Sequence, residues 1–262
     1  MRVAIAGAAG RIGRVVHAGL ADLGHDIVGI DLVAAPGVNP VDVRDTTALV
    51  PLLDACDAVV HLASIAEETT FEVALDTHLR VTHSVLEAML GAGVPRIVYA
   101  SSNHAVGFTP RETMAGVATR LRPDTFYGVG KAACETLCSL YVDRHRIEAA
   151  CLRIGSFRDR PESRRELSTW LSHGDAVRLV EACLTAPDLD FAVAYGISAN
   201  TRAWWDLDPA RRLGYRPQDD AETYAGSILA TPESTNDRLE SRHVGGSFAV
   251  PVTTEDGEET DR

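Results

Sequence analysis

Val3-Ala4-Ile5-Ala6-Gly7-Ala8-Ala9-Gly10-Arg11-Ile12-Gly13 runs from four small apolar residues straight into a turn of G-x-x-G-x-x-G spacing. The apolar run suits a parallel strand buried on both faces, and residues 12–23 carry apolar groups at helical spacing. The glycines therefore fall between a strand and a helix. In such a turn the backbone can come close to a diphosphate, whose charge rests on the N-terminus of the helix.

Further along, the same alternation repeats. Residues 27–30, 58–62, 96–100 and 148–154 read as short buried strands, and residues 12–23, 47–55, 71–90 and 124–144 as helices. Alternating βα units predict an α/β fold, a Rossmann-type doubly wound parallel sheet with helices on both faces. Beyond Gly155 the pattern loosens into a charged loop at 158–165, a helix at 175–185 and a strand at 191–197. This gives a core over 1–155 and a small C-terminal substrate-capping portion, integrated with the core, over 156–252. Residues 253–262 carry five acids against one arginine, as expected of a disordered acidic tail.

The net charge of −12 speaks against nucleic acid as a partner, since binding it needs a basic face. No apolar stretch approaches the roughly 18 residues of a membrane span, and the first residues do not resemble a signal peptide. The expected location is the cytoplasm. The five cysteines lie in apolar patterns and read as buried thiols, and the nine histidines lack ligand spacing, so no metal is expected.

Asp31 ends the second strand 18 residues after Gly13, close to the interval at which a carboxylate meets a ribose 2′-hydroxyl. A carboxylate there repels a 2′-phosphate, which favours NAD over NADP. Gly7, Gly10, Arg11, Ile12 and Gly13 would line the diphosphate. Asp42 and Val43 follow the third strand, where an aspartate can accept from an adenine amino group. His61-Leu62-Ala63-Ser64 ends the fourth strand, its backbone beneath the nicotinamide ribose.

Tyr127 and Lys131 are four residues apart, on one face of a helix. An ammonium beside a phenol stabilises the phenolate and lowers a pKa that is otherwise near 10. The lysine can also reach the ribose hydroxyls. Lys131 is the only lysine among 25 basic side chains, so it stands where arginine could not substitute. Ser102 and Asn103 follow the fifth strand, at the sheet edge where ligands bind. Ser102 would hold the reacting oxygen, and Asn103 a neighbouring hydroxyl.

These motifs together resemble the extended short-chain dehydrogenase/reductase superfamily, of the NAD-dependent epimerase/dehydratase type. The strings Ser101-Ser102-Asn103-His104-Ala105-Val106-Gly107-Phe108, Arg153-Ile154-Gly155-Ser156, Leu167-Ser168-Thr169-Trp170-Leu171-Ser172, Ala203-Trp204-Trp205-Asp206 and Gly245-Gly246-Ser247-Phe248-Ala249 are similar to those of uronate dehydrogenases. The resemblance covers nearly the whole chain before the tail. It implies NAD-dependent oxidation of C1 of a ring-form hexuronate, such as glucuronate or galacturonate, to an aldarolactone. It also implies substrate contacts from Ser102, Asn103, His104 and Tyr127. Ser156 and Arg165 match the positions that hold the sugar carboxylate; taken alone, Arg165 reads as a solvated charge in a basic loop. Pairing through helices into a homo-oligomer is implied as well.

Three positions depart from that pattern. Ala66 stands where the family places a substrate-contacting serine, His78 where it places an asparagine, and Gly130 where a serine often precedes the lysine. Three alternatives stay open: a dehydrogenase of neutral aldoses, a nucleotide-sugar epimerase or dehydratase, and a non-catalytic NAD-sensing protein.

Overall fold

The computed structural model describes residues 1–112 and 115–250. The expected acidic tail at 253–262 lies outside the described residues. Through the first half the elements run β1 (Arg2–Ala6), α1 (Arg11–Asp22), β2 (Asp26–Asp31), β3 (Val38–Pro40), α2 (Thr46–Leu53), β4 (Ala58–His61), α3 (Phe71–Ala74), α4 (Val81–Ala92) and β5 (Arg96–Ser102). They continue as α5 (Phe126–His145), β6 (Glu148–Ile154), β7 (Ser156–Phe157), α6 (Glu166–Thr169), β8 (Trp170–Leu171), α7 (His173–Thr185) and β9 (Phe191–Gly196).

Seven strands form one parallel sheet in the order β3-β2-β1-β4-β5-β6-β9. The order reverses between β1 and β4, the switch point at which doubly wound sheets open a ligand crevice. Alternate residues of each strand serve different cores. Val3, Ile5, Val60 and Val98 pack on one face with Leu179 of α7, whereas Ala4, Ala6, Val59 and Ile97 pack on the other with Leu86 and Met89 of α4. Burial on both faces is why the strands read as unbroken apolar runs.

β9 belongs to this main sheet although it lies beyond residue 156. β7 and β8 pair in a separate small sheet above it.

The pattern at 71–90 is not one regular helix. Leu75–Arg80 form a π-helical turn between α3 and α4, which places His78 against α5. Such turns are rare and concentrate at functional sites. α5 is clamped to the sheet by Arg153 of β6, whose Nε and Nη2 donate to both oxygens of Glu135 at 2.9 and 2.8 Å. Ser101 Oγ donates to the same carboxylate at 2.5 Å. This buried network fixes the helix that carries Tyr127 and Lys131.

Candidate active site

Gly7 adopts a φ of +90°, and a Cβ there would stand 2.7 Å from the Ala63 nitrogen. A Cβ on Gly13 would stand 2.1 Å from the Gly7 oxygen. Neither contact can be relieved, so the turn between β1 and α1 can be this tight only with glycine at both positions. Gly10 caps α1 with its backbone alone, leaving the helix N-terminus open toward the crevice.

Two hollows meet at this turn. One, of about 380 Å³, is lined by Gly7, Asp31, Asp42, Val43, Ala63 and Ser64. The other, of about 260 Å³, is lined by Gly7, Gly13, Ser102, Asn103, Tyr127 and Lys131 among others. Gly7, Gly10, Leu62 and Ser64 line both, so they form one groove across the switch point. Arg11 and Ile12 border the second hollow. A groove that crosses the switch point over a glycine cradle suits an extended dinucleotide.

Asp31 sits at the first end of the groove. Its carboxylate accepts from the Ala9 nitrogen at 2.9 Å and the Val33 nitrogen at 3.0 Å. Asp42 is engaged by Arg44, which donates from Nε and Nη2, and this holds its carboxyl below the usual range. Arg44 also reaches Asp76 at 2.6 Å. No sequence signal pointed to the pairing of Arg44 with Asp76, 32 residues away.

At the other end, Lys131 is buried, and its Nζ donates to Ser64 Oγ at 2.9 Å and to the Ala100 oxygen at 2.7 Å. Burial lowers its pKa to about 8. The same ammonium lies 5.7 Å from the centre of the Tyr127 ring. Burial pushes the Tyr127 phenol above its ordinary value, and the Ser102 hydroxyl only partly offsets this. The spacing of Tyr127 and Lys131 predicts a lowered phenol; in the free protein, desolvation outweighs the stabilisation of the phenolate.

The first turn of α5 is fastened from two directions. Thr125 Oγ1 accepts from the Gly128 nitrogen, and Glu68 accepts from the nitrogens of Phe126 and Tyr127 at 3.2 Å each. A carboxylate at a helix N-terminus is favourable there. Glu68 therefore ties the loop after β4 to the residue carrying the phenol, a long-range tie without a local motif.

Ser102 ends β5, and Asn103 opens a 3-10 turn directly after it. With its amide oriented for hydrogen bonding, Asn103 donates to the Ile154 oxygen at 3.0 Å and accepts from Arg165 Nη2 at 3.1 Å. Arg165 also donates to Ser156 Oγ at 3.2 Å and to the Val244 oxygen at 2.7 Å. Ser156 and Arg165 line a polar hollow of about 430 Å³ that shares Arg11, Gly155 and Phe157 with the Tyr127 hollow.

Arg165 has no carboxylate within ion-pair distance among the described residues, its Nε is buried without a partner, and burial lowers its pKa. A buried guanidinium in this state is costly unless an anion arrives to pair with it. Among the three departures, Ala66 lines the Tyr127 hollow. His78 is buried with both ring nitrogens unpartnered among the described residues, its ring 5.4 Å from that of Tyr127. Phe248, from the C-terminal segment, closes the same hollow and stacks on His104. It is named in no catalytic pattern, because only the fold carries residue 248 to the site.

Residues 3–185 match the NAD dependent epimerase/dehydratase family. The chain belongs to this family. Within it, the uronate dehydrogenase of Agrobacterium fabrum is 38% identical over 94% of this chain and 96% of its own. That of Pseudomonas syringae pv. tomato is 35% identical over 95% and 93%. The L-arabinose 1-dehydrogenase (NAD(P)(+)) of Haloferax volcanii is 36% identical over 85% and 98%. Among solved structures, a mutant uronate dehydrogenase from Agrobacterium tumefaciens complexed with NAD superposes with a TM-score of 0.88 at 38% identity, covering 95% of this chain and 96% of that one.

Proposed function

We propose that this chain is an NAD-dependent uronate dehydrogenase. It oxidises the C1 hydroxyl of a ring-form hexuronate, glucuronate or galacturonate, to the aldarolactone. The observation that carries the reading is Arg165, a buried guanidinium with no carboxylate within ion-pair distance among the described residues, bonded to Asn103 and Ser156 beside the Tyr127 hollow. A planar fork suits a carboxylate because it can bond both oxygens at once.

Bound NAD supplies the hydride acceptor. The glycine turn at Gly7, Gly10 and Gly13 cradles its diphosphate, bordered by Arg11 and Ile12, and Asp31 receives a ribose hydroxyl. Asp42 and Val43 border the adenine, while Leu62, Ala63 and Ser64 pass beneath the second ribose. Tyr127, as the phenolate that the Lys131 ammonium and the cationic nicotinamide would favour once NAD is bound, takes the proton of the C1 hydroxyl while the C1 hydrogen leaves as hydride to NAD, so the C–O bond becomes a carbonyl. Ser102 holds the reacting oxygen, and Lys131 holds the ribose and the phenol in register. Asn103 and His104 contact the sugar ring, and Ser156 with Arg165 takes the carboxylate. The five cysteines are buried free thiols, which supports a reducing compartment and hence the cytoplasm.

Ala66 favours a second reading, oxidation of a neutral aldose, because the hollow lacks one hydroxyl near the sugar. Absorbance of NADH with NAD and a panel of glucuronate, galacturonate, arabinose and galactose separates the two. Fast reduction with the uronates, abolished by Tyr127→Phe, supports the proposal. Turnover confined to the neutral sugars overturns it in favour of the second reading.

A further inference from the structure

His104 and Asp124 form a dyad at the edge of the Tyr127 hollow. The His104 Nδ1 lies 2.8 Å from Asp124 Oδ2, and the Asp124 side chain is wholly buried. Among the described residues, no lysine or arginine lies within ion-pair distance of that carboxylate. Its other oxygen accepts from the Thr125 hydroxyl at 3.0 Å.

The carboxylate sits in a cage of glycines from separate segments. A Cβ on Gly107 or Gly245 would stand 1.9 or 1.8 Å from Asp124 Oδ2, and one on Gly128 would stand 3.2 Å from Oδ1. The imidazole is gripped as well. Phe248 packs on it at 4.5 Å between ring centres, and the Tyr127 ring meets it edge-on at 5.6 Å. Its Nε2 bonds no described residue, although the ring lines the hollow. A helix-start aspartate needs none of this burial to cap a helix, and here Thr125 performs the capping.

We propose that Asp124 is a positioning residue that fixes the hydrogen-bonding sense of His104 toward the sugar. An ionised carboxylate only accepts, so Nδ1 must carry the proton, and the neutral ring then presents Nε2 as a lone pair. That lone pair accepts from a sugar hydroxyl other than the one Tyr127 deprotonates. The sugar ring is thereby oriented by a group of defined sense rather than by one free to donate or accept. The sugar half of this inference rests on the uronate reading; the tautomer half does not.

Asp124→Asn tests it in the full-length protein. The Thr125 oxygen already accepts from the Gly128 nitrogen, so its proton stays directed at position 124. The amide oxygen of the variant takes that proton, and its nitrogen faces His104 and donates to Nδ1. The ring proton moves to Nε2, turning the acceptor into a donor. Nitrogen-15 NMR of histidine-labelled protein without sugar should show Nδ1 protonated in the wild type and Nε2 protonated in the variant.

With NAD and glucuronate, the variant should show a KM for the sugar raised at least about tenfold, as expected for one lost buried hydrogen bond, with the KM for NAD unchanged. In a panel of monodeoxy glucuronates, one analogue should be handled alike by both proteins, because it lacks the hydroxyl in question. Nε2–H in the wild type, or a wild-type sugar KM in the variant, overturns the proposal. A variant that fails to fold leaves the wild-type NMR and deoxy panel decisive: the tautomer must be as stated, and one analogue must lose affinity. If the wild type oxidises no uronate, the uronate reading and the sugar contact fall together, while the NMR result still decides the role of Asp124.

Discussion

The imidazole of His78 occupies the space that a side chain on Gly130 would need: a Cβ there would stand 2.9 Å from His78 Cγ and Cδ2. The two departures from the family pattern on these helices are therefore one change. A larger ring on the π-helical turn is matched by the loss of a side chain on α5, one residue before Lys131. Gly130→Ser alone should destabilise the protein by about 1–3 kcal/mol through overpacking, although serine is the better helix former. His78→Asn should relieve most of that loss in the double variant, a coupling that thermal unfolding of the four proteins would measure. Additive effects would show that the two positions are independent.

Acid stability should depend on His78 and His61. Burial, with the Lys131 charge second, pushes both pKa values down to about 3. An unfolded imidazole titrates near 6.5, so between about pH 6 and 4 the unfolded chain binds protons that the folded chain refuses. The sign follows: the stability is present above pH 6.5 and falls with pH through that window, by about 1.4 kcal/mol per pH unit for each histidine. His78→Asn should reduce the proton uptake on unfolding by about one. Denaturant titrations at pH 6, 5 and 4 supply the slopes, and equal slopes in the two proteins would sink the assignment.

Most of the sheet was legible because its signals are local. Strands buried on both faces leave unbroken apolar runs, and a turn too tight for side chains leaves glycines at fixed spacing. Tyr127 and Lys131 were readable for the same reason, four residues apart on one helix. What the sequence did not disclose depends on distant partners. The clasp of Glu68 on α5, the hold of Arg44 on Asp76, and the packing of Phe248 on His104 join residues 32 to 144 positions apart. The π-helical turn was hidden because it keeps a near-helical pattern while shifting one residue. The free phenol was misjudged because spacing reports the ammonium but not the desolvation around both groups.

Arg165 should govern affinity for the acid and not the oxidation itself. Arg165→Lys keeps the charge but gives up the planar fork, so kcat/KM for glucuronate should fall roughly 10- to 100-fold, the range of a hydrogen bond to a charged group. The loss should appear mainly in KM, since the carboxylate is bound equally before and during hydride transfer. A neutral aldose, if turned over at all, should be indifferent to the change. Steady-state kinetics on both sugars, with unfolding curves to show that the Val244 and Ser156 contacts survive, would check this. A uronate KM equal to that of the wild type would remove Arg165 from the carboxylate site.

Cofactor preference should yield to two substitutions in sequence. Asp31 is locked by the Ala9 and Val33 nitrogens at the end of the groove, where its charge opposes a 2′-phosphate. Asp31→Ala removes the repulsion together with a charge-assisted bond to the ribose, so kcat/KM with NAD should fall about tenfold while that with NADP rises. Alone it should leave NADP a modest substrate, because Arg44, a cation lining the same hollow, is tied to Asp42 and Asp76. Adding Asp42→Asn cuts the stronger of those ties and lets the guanidinium turn toward the phosphate. The double variant should then favour NADP more than Asp31→Ala does, by a margin that shrinks as salt rises, because the gained pair is exposed. Initial rates with both cofactors at two ionic strengths decide the matter. A double variant no better with NADP than the single one would mean that Asp76 alone holds Arg44 in place.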